Sequence, residues 1–246
     1  MLKKNLALIG IGYWGKVHLK YLSNFKNVQI NKIFYLKNKR IIDKKIKSKY
    51  TFTNNINEIL NDKKIDFIDI VTPIETHSKL VTKFLYLNKK ILVEKPLLMN
   101  TREIKEIELL QKKNNNLIVS YPYLFSKTLK YAKKIINSNL LGKIKYVEIN
   151  MKQCGRFMKY GVNHLLGPHA ISILSLFYNL KGLKYQNNKI IQKGSRIETS
   201  LISFYNKKRN VSNINLSLNY ARDESVKEIN IYCEKGTIHC DLNNKN

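Results

Sequence analysis

Through the first half of the chain, short apolar runs alternate with stretches of helical period. Leu6-Ala7-Leu8-Ile9 reads as a buried strand and Trp14 to Leu22 as a helix. Val28 to Leu36 is a second strand, and Ile56 to Leu60 is a short helical piece. Asp66 to Val71 forms a strand ending at Thr72-Pro73. His77 to Leu87 follows with helical period, and Ile91-Leu92-Val93 is a strand stopped by Pro96. Asn100 and Glu103 stand at capping-box spacing before a helix whose apolar face is Ile104, Ile107 and Leu110. Leu117-Ile118-Val119 is one more strand. Continuous apolar runs between helical segments predict an α/β fold, with a Rossmann-type parallel sheet covered on both faces.

After Tyr121-Pro122-Tyr123 the period changes. Ser126 to Ile136 is helical with Lys on its outer face, and Pro168 to Leu180 is apolar enough to lie against a sheet. The strands become longer and alternate. Val147, Ile149 and Met151 point one way, as do Ile214, Leu216, Leu218 and Tyr220. Ile229, Ile231 and Cys233 lead through a turn at Glu234-Lys235-Gly236 into Ile238, Cys240 and Leu242. Alternation of this kind predicts a mostly antiparallel sheet with one wet face, in an α+β domain. The expected division is into a first domain, 1–122, and a second, 123–246.

Composition narrows the function classes. The 246 residues carry 45 Lys+Arg against 17 Asp+Glu, a net charge of +28. The excess is the same, +14, on either side of residue 122, and 39 of the basic residues are Lys. Base-edge readout and phosphate forks favour Arg gathered into a patch. A charge spread evenly as Lys argues for a solvated surface rather than a nucleic-acid site. No apolar run approaches the roughly 20 residues of a membrane span. The start breaks at Gly10, Gly12 and Gly15 and has no small-residue cleavage site, so it does not read as a signal peptide. Three cysteines without metal spacing (Cys154, Cys233, Cys240) predict neither a metal site nor a disulfide framework, and a cytoplasmic setting is expected.

Gly10-Ile11-Gly12-Tyr13-Trp14-Gly15 lies between a predicted strand and a predicted helix, the context in which this spacing binds a dinucleotide. Gly10 allows the tight turn, Gly12 lets backbone approach a pyrophosphate, and Gly15 lets helix pack close to strand. Tyr13 and Trp14 belong to the same loop. His18 follows it, and packing against the loop is its simpler reading, as it is for Trp14. An acid at the end of the second strand would bind ribose hydroxyls, but that position is Leu36, followed by Lys37, Asn38, Lys39 and Arg40. A basic run headed by Lys37 would welcome a 2′-phosphate, so the cofactor is NAD or NADP with a lean to NADP.

Beyond the glycine loop, further motifs stand in a telling order. Thr72-Pro73 and His77 precede Glu94-Lys95-Pro96, which ends a strand. Leu141-Gly142-Lys143-Ile144 opens another strand, Gly167-Pro168-His169 opens a helix, and Glu234-Lys235-Gly236-Thr237-Ile238 forms a late turn. In these features the chain resembles the glucose–fructose oxidoreductase, inositol dehydrogenase and rhizopine-catabolism family (Gfo/Idh/MocA) over nearly its whole length. The resemblance implies NAD(P)-dependent alcohol–ketone redox chemistry on a sugar, cyclitol or sugar nucleotide, and Gly167-Pro168-His169 leans toward sugar nucleotides. It implies that Lys95 hydrogen-bonds the reacting oxygen and that Glu94 helps place the nicotinamide. Thr72, Pro73 and His77 would then line the cofactor site, although a cap or packing role is the simpler reading of His77. His169 would be the general acid–base, since a helix N-terminus disfavours an imidazolium and a neutral ring can take the alcohol proton. Tyr121 and Tyr123 stand at the domain junction.

The chain departs from the family pattern in two ways. Leu165 stands where the family often has Asp, four residues before the His, and Ala170 replaces an Asp that often follows it. Asn163 and His164 are the polar neighbours that could compensate. Family members also normally continue past the equivalent of Asn246. A shortened second domain would leave apolar sheet surface, which favours a homo-oligomer through that sheet. The alternative to an active dehydrogenase is a catalytically impaired homologue that binds nucleotide and acts as a binding or regulatory protein.

Overall fold

The computed structural model describes residues 3–36, 44–154, 160–207, 209–219 and 225–243. The chain divides into two units, Met1–Ser120 and Tyr121–Asn246.

In the first unit, six parallel strands run in the order β3-β2-β1-β4-β5-β6. They are β1 (Lys4–Ile9), β2 (Val28–Phe34), β3 (Phe52–Thr53), β4 (Phe67–Ile70), β5 (Lys90–Glu94) and β6 (Leu117–Ser120). Helices α1 (Tyr13–Leu22), α2 (Lys44–Lys49), α3 (Asn57–Leu60), α4 (His77–Tyr86) and α5 (Ile104–Asn114) connect them. Both faces are covered, which is why the strands lack polar alternation. Leu6 and Leu8 of β1 pack with Leu19 of α1 on one face. Ala7 and Ile9 pack with Val81 and Phe84 of α4 and Ile107 of α5 on the other. The same parity runs through β4 and the residue after it, where Phe67 and Val71 join the α1 face while Ile68 and Ile70 join the α4 face. The reversal of strand order between β1 and β4 places the crevice of such a sheet at their carboxyl ends.

The sequence reading needs two local corrections here. The second strand ends at Phe34, two residues short of Leu36. The capping box does not form: Asn100 Oδ1 accepts from the N–H of Arg102 (3.0 Å), two residues on, and α5 begins at Ile104. A short amide side chain closes that local turn in preference to the cap.

The second unit holds a sheet in the order β12-β11-β7-β10-β9-β8. Its strands are β7 (Ile144–Lys152), β8 (Lys184–Lys193), β9 (Arg196–Asn206), β10 (Arg209–Ser217), β11 (Val226–Cys233) and β12 (Thr237–Asp241). All pairs are antiparallel except β7 with β10. Val147, Ile149, Met151, Ile214, Leu216, Ile229 and Ile231 form a buried face against α6 (Lys127–Asn137) and α8 (Gly167–Leu174). The opposite face is polar, with side-chain bonds from Asn215 to Asn150 (2.9 Å) and from Asn230 to Glu148 (3.1 Å). Tyr220 lies outside the described residues. The helix expected over Pro168 to Leu180 ends at Leu174. The hydroxyl of Ser175 donates back to the carbonyl of Ser172 (2.6 Å), and the chain turns while Leu176 and Phe177 still pack on the core. Apolar content therefore outlasts the helix. Strands β8 and β9 had no signature in the sequence. Edge strand β8 is exposed along almost its whole length, and β9 buries Glu198 and Ser200 among its core-facing positions.

Candidate functional site

The glycine loop joins β1 to α1 as its spacing required. Gly10 has φ +107°, and a Cβ there would lie 2.7 Å from the carbonyl oxygen of Val71. A Cβ on Gly15 would lie 2.3 Å from the carbonyl oxygen of Gly10, so only glycine lets this helix meet this strand end. A Cβ on Gly12 would meet nothing within 4 Å. Gly12 is the N-cap of α1 and supplies no side chain to it, so the helix start faces open space. That cradle fits a diphosphate, which the positive end of the helix and its N–H groups favour. Beside it Tyr13 and Trp14 meet edge to face, 5.5 Å between ring centroids. Trp14 is 54% exposed, and its ring meets the loop through Tyr13. Leu36, past the end of β2, is 56% exposed and offers ribose no hydrogen bond. Lys37 lies outside the described residues.

His18 is the residue whose role the sequence hid. Its Nδ1 lies 2.8 Å from Asp69 Oδ2 and its Nε2 3.1 Å from Glu94 Oε1. With both carboxyls ionised, each accepts from one ring nitrogen, and the ring that donates twice is an imidazolium. Burial, the largest single influence, pulls the His18 pKa down. The hydrogen bonds and charges of Asp69 and Glu94 outweigh it and carry the pKa to about 10. Burial also pushes the fully buried Asp69 carboxyl up, against the hydrogen bond from His18. Glu94 is held below the usual carboxylate range: burial raises it, but hydrogen bonds from His18 and Ser120 outweigh burial. The signal that could have revealed this cluster was Asp69 itself, an acid inside an otherwise apolar strand buried on both faces.

Glu94 Oε2 accepts from the backbone N–H of Lys95 (3.2 Å), which fixes the start of Lys95-Pro96, a cis peptide. Burial lowers the Lys95 ammonium pKa, and the charge of Glu94 opposes that. His77, 1% exposed, bridges two loops rather than facing open space. Its Nδ1 lies 3.0 Å from the carbonyl oxygen of Pro96 and its Nε2 2.9 Å from that of Thr72. Thr72 and Pro73 are further held by Thr76, whose hydroxyl meets Thr72 Oγ1 at 2.6 Å and donates to the carbonyl of Pro73 (2.7 Å). The ends of β1, β4 and β5 thus carry the glycine loop, Thr72-Pro73 and Glu94-Lys95-Pro96 in adjacent positions.

In the second unit His169 sits in the first turn of α8, just after Pro168, and its ring stands perpendicular to that of Tyr123, 5.1 Å between centroids. The polar neighbours of the missing acid are engaged elsewhere. Asn163 Oδ1 accepts from the Ser200 hydroxyl (2.5 Å), and His164 is tilted against Tyr160. Leu165, in α7 (Val162–Leu165), packs against the core, and Ala170 is fully buried. Burial raises the phenol pKa of both Tyr121 and Tyr123. Among the described residues no helix is long and apolar enough to cross a membrane.

Comparison with known proteins agrees with this geometry. Residues 4–121 match the model of the oxidoreductase family with an NAD-binding Rossmann fold, GFO_IDH_MocA. The uncharacterized oxidoreductase YhhX of Escherichia coli K12 is 29% identical over 75% of the chain, and an uncharacterized oxidoreductase of Schizosaccharomyces pombe is 26% identical over 74%. The chain spans 59% and 54% of those two relatives, less than two thirds of their length. Among solved structures, GenD2 from gentamicin A biosynthesis in complex with NAD superposes with a TM-score of 0.86 at 16% identity, over 98% of this chain and 73% of that one. The scyllo-inositol dehydrogenase of Lactobacillus casei with bound NAD(H) and scyllo-inositol gives 0.83 at 15% identity, over 97% and 76%. These likenesses show the fold: a parallel Rossmann sheet followed by a mostly antiparallel one. With the glycine cradle, the Glu94-Lys95-Pro96 strand end and the family match on the same domain, residues 4–121 carry the NAD-binding Rossmann fold of the Gfo/Idh/MocA oxidoreductase family.

Proposed function

We propose that the chain is an NAD(P)-dependent dehydrogenase or reductase acting on a hydroxyl or ketone of a sugar, cyclitol or sugar nucleotide. The observation that carries this reading is the open cradle at Gly12, where Gly10 and Gly15 are packed too tightly for any side chain and Gly12 faces nothing. Gly10, Gly12, Gly15 and the start of α1 hold the diphosphate, with Tyr13 and Trp14 flanking it. Thr72, Pro73, Glu94 and Lys95 line the nicotinamide end. Both NAD(H) and NADP(H) are candidates, and the NAD-bound relatives favour the former. The bound nicotinamide supplies the hydride acceptor or donor at its C4 position.

In this reading the Lys95 ammonium donates a hydrogen bond to the substrate oxygen and stabilises negative charge developing there. Burial has already stripped part of the water from this ammonium, and its lowered pKa makes it a readier proton donor to that oxygen. His169 takes the alcohol proton in oxidation and returns it in reduction. The cyclitol of the Lactobacillus casei complex supports the substrate class. The test is fluorescence titration of the protein with NADH and NADPH, followed by single-turnover reduction of bound NAD or NADP with a panel of cyclitols, sugars and sugar nucleotides. Micromolar binding of one dinucleotide and turnover with one panel member are expected. Failure to bind either dinucleotide overturns the reading. Binding without any turnover is the outcome for a catalytically impaired homologue.

A further inference from the structure

The geometry points to His18 as a positioning residue: clamped between Asp69 and Glu94, its imidazolium fixes the Glu94-Lys95 strand end and neutralises carboxylates that would otherwise repel an anionic dinucleotide. This inference rests on the reading that the chain binds NAD(H) or NADP(H).

The clamp follows from parity. Residues 67, 69 and 71 of the β4 region point to the α1 side of the sheet, and so does Glu94, because Ile91 and Val93 of β5 point to the other. His18 lies on α1, whose first residue follows Gly12. One side chain therefore ties the diphosphate-binding helix to the ends of two neighbouring strands. Both oxygens of Glu94 are engaged, Oε1 by His18 and Oε2 by the N–H of Lys95, so the carboxylate cannot rotate without breaking a charge-assisted bond. Asp69 depends on His18 more heavily. Its Oδ2 meets the imidazole, while its buried Oδ1 has no hydrogen-bond partner among the described residues. Without His18 the crevice would hold a buried carboxylate with no counter-ion and a second carboxylate left only with Ser120 and the N–H of Lys95. The charges that face one another are Asp69 and Glu94 on the ring, with Lys95 beyond Glu94. The His18 pKa of about 10 agrees with a ring charged throughout the neutral range.

Two measurements on the full chain test the inference. In 15N imidazole NMR spectra of the wild-type protein, with the His18 signals assigned from their loss in H18Q or H18Q/D69N, both His18 nitrogens should stay protonated from pH 6 to about 9. A neutral His18 in that range overturns the clamp. NADH titrations should show at least ten-fold weaker binding by H18Q than by wild type. In the double variant H18Q/D69N the buried carboxylate leaves with its counter-ion, so the melting temperature should recover. Glu94 keeps Ser120 and the N–H of Lys95 there but lacks its imidazolium partner, so affinity should stay at least ten-fold weak. Wild-type affinity in H18Q, or affinity that returns together with the melting temperature in the double variant, shows a merely structural His18 and overturns the inference. If H18Q fails to fold, the double variant and the NMR spectrum decide. Failure of the wild-type protein to bind either dinucleotide overturns the cofactor reading, and the His18 spectrum still decides the clamp.

Discussion

At the residue scale, glycines of one motif do different work, and substitution separates them. Adding a methyl at Gly15 drives it to 2.3 Å from the backbone oxygen of Gly10, where no flexible neighbour can yield. Gly15→Ala should cost about 3 kcal/mol in denaturant unfolding. Gly12→Ala meets no atom within 4 Å, so stability should change by no more than about 0.5 kcal/mol. The methyl nevertheless enters the space a diphosphate would use, and NADH affinity should fall at least ten-fold. An unchanged affinity would mean the diphosphate does not sit on Gly12. The spacing of the glycines revealed these roles because each depends on neighbours a few positions away. His18 could not be read the same way. Its partners lie 51 and 76 positions on, and they meet it only because β4 and β5 stand side by side next to β1.

At the element scale, strongly periodic segments were legible and edge or polar-faced ones were not. Strands β1, β4 and β5 announce themselves because both faces are buried. Strand β8 leaves Tyr185 70% and Ile190 59% exposed at a sheet edge, where Lys184, Lys189 and Lys193 discourage pairing with other chains. Strand β9 spends core-facing positions on Glu198, bonded to Arg196 and Asn219, and on Ser200, bonded to Asn163. Polar partners thus erase an alternation that the fold still uses. The short helix α7 raises a related point about the family acid. Leu165 packs against the core of the second unit, so this position is not a vacant slot awaiting a carboxylate. Leu165→Asp should lower stability by about 2–3 kcal/mol, measured by denaturant unfolding. A variant as stable as wild type would show that the side chain can turn out to water instead.

At the scale of the whole molecule, the +28 charge acts as a field more than as a site. Lysines spread over both halves attract any small anion, dinucleotides included, without fixing where it binds. Raising salt from about 0.1 to about 1 M shortens the Debye length from about 10 to about 3 Å. NADH affinity should therefore fall several-fold over that range in fluorescence titrations. The contribution of the buried His18–Asp69–Glu94 cluster should survive, because pairs removed from water are screened far less. An affinity indifferent to salt would mean that local contacts at the helix start outweigh the field.

Local pattern by itself determined the class of this protein: apolar runs covered on two sides, a glycine loop between strand and helix, and a change to alternating strands near residue 121. Those features act over a few residues, so they are written in neighbouring positions. Only the tertiary structure decided which polar groups meet. It set His18 between two carboxylates, spanned the Thr72 and Pro96 loops with His77, and turned Asn163 toward Ser200. The physical reason is that a buried polar group must find a partner wherever strand order and side-chain parity bring one near, and neither is visible along a single chain of letters.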